Sequence, residues 1–217
     1  MIGVPLVGLA FGEVGLVTLF TLISVHALIL LTSATVVFEL ATARSHLPHL
    51  QALSASSPFW AGERTGYASN RALVFQQLPT AGLPWPLENW AQFDAYLDDM
   101  IGTGVMADAT EVRWDIRPAP RWGTIEVRAC DGMSTLPELA AVAALVQVLV
   151  EHFSRELDEG RDLPTIQPWF VRENKWRAAR YGLDAEVIVD SRGTQRPATP
   201  PPHAAAAGSS WSMTPCI

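Results

Sequence analysis

The chain has 217 residues, 49% of them apolar, enough to bury the core of one ordinary domain. A net charge of −7 excludes a general nucleic-acid binder, so any anionic ligand must be held by a local basic cluster. The two cysteines, Cys130 and Cys216, lie far apart without metal-ligand spacing, which argues against a disulfide scaffold or zinc site and for reduced thiols in the cytoplasm.

Residues 1–44 form an apolar N-terminal segment, and residues 14–38 carry no Asp, Glu, Lys or Arg. Twenty-five such residues can cross ~30 Å of hydrocarbon as a helix. No basic n-region or small-residue cleavage site marks a secretory signal. Three readings stand for this segment: a membrane helix, a buried core segment, or a misread gene start.

Residues 45–190 read as an α/β domain with helices at about 46–54, 67–77, 88–101, 135–157 and 167–181. The fourth is rich in Ala and Leu, with Ser134 or Thr135 as its cap and Glu138 in its first turn. His46 and His49 flank Pro48 at the spacing of a helix entry, and Trp60, Trp85, Trp90 and Trp114 read as core or interface aromatics. Residues 191–217 are rich in Pro, Ala and Ser and read as a disordered tail.

Between the third and fourth helices, "RWDIRPAPRWGTIEVRACD" (113–131) carries four arginines, two aspartates and a glutamate. Alternation along two strands places Arg113, Asp115 and Arg117 on one face with Thr124, Glu126 and Arg128. Trp114, Ile116, Ile125 and Val127 take the other, and Pro118, Pro120 and Gly123 fill the connection. The charged face reads either as the wet side of an antiparallel ribbon or as a site for a phosphorylated, metal-bound substrate.

Four segments, "HLPHLQALSASSPFWAG", "TGYAS", "WDIRPAPRWGTIEVRACD" and "RAARYGLDAE", resemble in order and spacing the carboxylate-amine ligase family, also called glutamate-cysteine ligase type 2, of the glutamine-synthetase-like superfamily. The resemblance runs from about residue 45 to residue 190. It implies a concave antiparallel sheet backed by helices, with ATP, Mg²⁺ and an amino acid on its open face. The implied reaction phosphorylates the γ-carboxylate of glutamate and lets an amine, that of cysteine or another small molecule, displace phosphate. By the same resemblance Glu126 is the metal-binding carboxylate, with Asp115 a second ligand. Arg128 neutralises the substrate carboxylate or acyl phosphate, and Arg117 contacts nucleotide phosphate. Arg71, Arg177 and Arg180 fall in family-like motifs and are implied phosphate contacts.

The family's Gly-x-Glu-x-Glu strand and His-containing strand are not found. A catalytic half-domain is therefore expected, the C-terminal half of the ligase, with an incomplete site. The alternatives are a membrane-tethered, inactive binding module anchored through residues 14–38, or a partner subunit that completes another chain's site. The partners expected are small-molecule substrates and a second copy of the chain, not nucleic acid.

Overall fold

The computed structural model describes residues 33–122, 124–161 and 165–199. Five α-helices in this range are α1 (Ser33–Ser54), α2 (Asn70–Phe75), α3 (Trp90–Gly102), α4 (Leu136–Asp158) and α5 (Pro168–Tyr181). Their strands are short: β1 (Phe59–Trp60), β2 (Glu63–Arg64), β3 (Ala81–Gly82), β4 (Arg113–Trp114), β5 (Ile116–Ala119), β6 (Thr124–Val127), β7 (Glu186–Ile188) and β8 (Gln195–Pro197). Three pairs are antiparallel, β1 with β2, β5 with β6 and β7 with β8, while β3 and β4 run parallel. The fold class is α/β. Four separate two-stranded ribbons stand among the described residues where the resemblance implies one concave sheet.

Helix α1 runs straight across the boundary at residue 44 that composition suggests. No Gly or Pro interrupts residues 33–47, so a change in polarity alone does not end the helix. It also places His46 and His49 inside α1, not at its entry. Residues 33–38 of the uncharged stretch are helical, and the rest of that stretch, with its membrane reading, lies outside the described residues.

Helix α5 buries Val171, Asn174, Lys175, Ala178 and Ala179, the stripe that a 3.6-residue period lays along one face. Its alanines let Ala52 of α1 and Val187 of β7 approach closely. Asn174 closes a two-way hydrogen bond with the backbone of Ile188, 2.7 Å in each direction. Ordered chain continues past Asp190, where composition predicts disorder. β8 pairs with β7, Ala198 is buried, and its carbonyl meets the His49 ring at 2.8 Å. The Pro-rich composition hid this because three paired residues and one small buried side chain leave almost no hydrophobic pattern. Residues 200–217 lie outside the description.

Two apolar clusters meet at the charged hairpin. Ile116 packs with Leu47 of α1, Ala129, Ile125 and Val127. Trp114 instead joins Phe93, Met106 and Val112 beneath α3. The chain bends at Asp115 between them, so Trp114 and Ile116 do not share the one oily face that alternation predicts. Pro118 sits within β5 opposite Ile125, tolerated because this strand has a single partner. Trp60 and Trp85 are exposed, unlike Trp114.

Helix α4 is capped as its sequence predicts, with a Thr135 and Glu138 capping box. Among the described residues it alone has the length and apolar composition of a membrane-crossing helix, and Phe153 is its one buried side chain.

Candidate functional site

The β5–β6 register sets Arg117 opposite Glu126, so both side chains rise from one face of the ribbon. Glu126 accepts hydrogen bonds from Arg117 Nε at 2.9 Å and Nη2 at 2.7 Å on one oxygen. Arg128, two residues along the same face, donates to the other oxygen at 2.5 Å. Burial alone pushes the Glu126 carboxyl upward, but the Arg117 hydrogen bond and the two guanidinium charges outweigh it. Glu126 therefore stays ionised below the ordinary glutamate range. Arg117 also donates through Nη1 to the carbonyls of Thr110 and Val112, at 2.5 and 2.7 Å. Such a fully engaged guanidinium is an anchor of the ribbon more than a free phosphate contact.

Arg71 enters from the first turn of α2. Its Nη2 donates to the Arg128 carbonyl at 3.0 Å, and the guanidinium groups of Arg71 and Arg128 lie 5.2 and 5.5 Å from the ring centre of Phe75. One aromatic ring thus gathers two cations, each contributing roughly 0.5–1 kcal/mol of attraction. Arg128 Nε is buried and has no hydrogen-bond partner among the described residues. Buried donors are nearly always satisfied, so Arg128 Nε stands out, with Arg44 Nε, as an unmet buried donor among the described residues.

Asp115 leaves the charged face. Its carboxylate forms an ion pair with Lys175 of α5, and both side chains are sealed from water. Burial pushes the Lys175 pKa below the ordinary lysine value, more than Asp115 raises it, and Arg71 and Arg172 act in the same direction as burial. Neither Lys175 nor Asp131 is singled out by the sequence. Asp131, buried behind Arg71, accepts from Ser57 and Ser69 hydroxyls at 2.7 and 2.9 Å. Its partners are scattered along the chain at 56, 57 and 69, so no local spacing announces it.

The remaining arginines lie elsewhere. Arg113 donates to Thr80 and to the Glu111 carbonyl. Arg177 pairs with Glu173 at 2.8 Å and ties down the β7–β8 hairpin through Gln195 Oε1. Arg180 lies over Tyr67, 5.2 Å from its ring centre, where a Cβ on Gly66 would come within 3.0 Å of Arg180 Nη1. The structure thus joins Arg71, Arg117, Glu126 and Arg128, turns the Asp115 carboxylate to Lys175, and gives Arg177 and Arg180 other partners. Cys130 is held protonated by burial, which raises its pKa.

An anionic group fits this donor set; a divalent ion, on the ligands the described residues offer, does not. Both Glu126 oxygens are given to guanidinium groups, Asp115 is closed off with Lys175, and no group of three His, Cys, Asp or Glu among the described residues could hold a metal.

A family model for the glutamate-cysteine ligase family 2 matches residues 9–207. The chain belongs to that family. The match reaches past residues 45–190 on both sides and takes in most of the apolar N-terminal segment. Relatives named "Putative glutamate--cysteine ligase 2" include one from Leifsonia xyli subsp. xyli, 66% identical over 152 residues, or 70% of this chain and 40% of the relative. Another, from Clavibacter sepedonicus, is 63% identical over 150 residues, 69% of this chain and 39% of the relative. The chain spans about two fifths of the length of these curated relatives. In this member of the glutamate-cysteine ligase family 2, Arg117 and Arg128 hold the Glu126 carboxylate, and Arg71 joins them through the Arg128 carbonyl.

Proposed function

We propose that the arginine cluster on the β5–β6 ribbon is the acidic-substrate part of an ATP-dependent carboxylate-amine ligase site, one that joins the γ-carboxylate of glutamate to an amine such as that of cysteine. The observation that carries this reading is Arg128 Nε, buried and without a partner among the described residues, beside Arg71 in a chain of the glutamate-cysteine ligase family 2. On this reading Arg128 and Arg71 bind the substrate carboxylate or the phosphoryl group that activates it. Arg117 holds Glu126, and Glu126 aims Arg128. ATP supplies the phosphoryl group. Charge neutralisation by guanidinium groups suits its transfer, which enzymes catalyse chiefly by positioning and electrostatics. Magnesium, implied by the resemblance, finds no carboxylate set among the described residues, and the roles above rest on the arginines alone.

Calorimetric titration with L-glutamate and L-glutamine tests the reading, since the two differ only in the charge of the γ-group. Glutamate is expected to bind about tenfold or more tightly than glutamine, with the preference lost in Arg128→Gln. Equal binding of the two, or a preference that survives Arg128→Gln, would overturn it.

A further inference from the structure

We infer that Asp131 is the positioning residue of this site, holding Arg71 in place through two serine hydroxyls; the inference rests on the cluster being the acidic-substrate site. Asp131 is 5% exposed. One carboxylate oxygen accepts from Ser56 N at 3.0 Å and Ser57 Oγ at 2.7 Å; the other accepts from Ser69 Oγ at 2.9 Å. Each hydroxyl then turns a lone pair toward the start of α2. Ser57 Oγ accepts the Arg71 N–H at 3.1 Å, and Ser69 Oγ accepts the Ala72 N–H at 3.3 Å. Asp131 Oδ1 also lies 3.8 Å from Arg71 Nη1. Main chain, helix start and guanidinium of Arg71 are therefore all referred to one carboxylate.

The direction of these bonds requires a carboxylate. A hydroxyl has one proton, and both serine protons are drawn to Asp131, which leaves their oxygens free to accept amides. An ionised carboxylate only accepts, so it enforces that polarity. An asparagine of the same size presents an NH₂ on one side, which must meet a hydroxyl as a donor, so that hydroxyl loses the acceptor for its own proton and must rotate away from its present orientation. The Ser54 hydroxyl, accepting from the Asp131 N–H at 3.2 Å, fixes the backbone from behind. Arg71 in turn donates to the Arg128 carbonyl, so a displaced Arg71 loosens the residue that carries the unpartnered Nε.

The test uses Asp131→Asn and Ser57→Ala in the full chain, with ¹⁵N relaxation of the arginine Nε–H groups and titration with L-glutamate and inorganic phosphate. Arg71 Nε is expected to become mobile in both variants while Arg117 Nε stays ordered, and anion affinity is expected to fall about tenfold. A merely structural role would loosen Arg117 together with Arg71, or neither. If Asp131→Asn does not fold, Ser57→Ala carries the test, since it removes the Asp131–Ser57–Arg71 N–H link and leaves the Ser69 hydroxyl on Asp131. Unchanged Arg71 order in a folded variant overturns the positioning role. If the parent chain binds neither anion, the site reading fails, and Arg71 order still decides the role of Asp131.

Discussion

Replacing Lys175 with Met is expected to be among the costliest single changes to this fold. The substitution keeps the length of the side chain and the helix propensity of α5 but strands the Asp115 carboxylate, whose side chain is only 5% exposed. Surface pairs contribute 0–1 kcal/mol or so, whereas removing one partner of a buried pair costs about 3–5 kcal/mol. With Lys175 at 4% side-chain exposure the second case applies. For a domain of this size the loss corresponds to a fall in Tm of roughly 10 °C. Thermal and urea unfolding followed by circular dichroism would measure it. The double variant Asp115→Asn/Lys175→Met removes both charges and is expected to recover about 2 kcal/mol of the sum of the single losses. A single variant that costs under about 1 kcal/mol, with strictly additive losses, would show that the pair is screened by water and refute the argument.

Glu126, held below its ordinary pKa, contributes stability that is present above the unfolded value of about 4.3 and is lost as pH falls through the folded value. Acid unfolding of the parent should therefore steepen below about pH 4, and Glu126→Gln should flatten that limb. Ending the chain after Asp190 deletes β8, the Ala198 N–H bond to the Ala185 carbonyl and the His49 contact, and is expected to lower Tm by roughly 5 °C. Ending it after Thr199 instead keeps these contacts, and a similar loss there would contradict the assignment. Gly182 closes α5 at φ 58° and ψ −125°, and a Cβ there would meet the Ala68 Cβ at 3.0 Å. Gly182→Ala should cost about 1–3 kcal/mol in urea unfolding, and a neutral result would mean the turn is not held in this conformation.

Much of this organisation is legible in the residues. Four helices fall within a few residues of the spans set by apolar spacing, and Thr135 caps α4 as its neighbour Glu138 suggests. That Arg117, Glu126 and Arg128 share one face follows from strand alternation; the register that sets Arg117 opposite Glu126 does not, and comes from the pairing of β5 with β6. What escapes is set by distant partners. β4 leaves the ribbon because its backbone pairs with Ala81 and Gly82, more than thirty residues earlier, and that departure turns Asp115 inward to a lysine sixty residues away. Asp131 reads as an ordinary acid after a strand, since the serines that define its role share no period with it. Arg177 and Arg180 look like the other arginines in composition, and only the positions of Gln195 and Tyr67 give them different work.

The most direct test of the central claim is the ¹H–¹⁵N signal of Arg128 Nε, a buried donor that lacks a partner among the described residues, during titration with L-glutamate and with ATP. A saturable shift of that signal, with Arg155 on the outer surface of α4 unmoved, is the result expected if the cluster receives the acidic groups of a ligase reaction. No shift at saturating ligand, or an equal shift at Arg155, would contradict it.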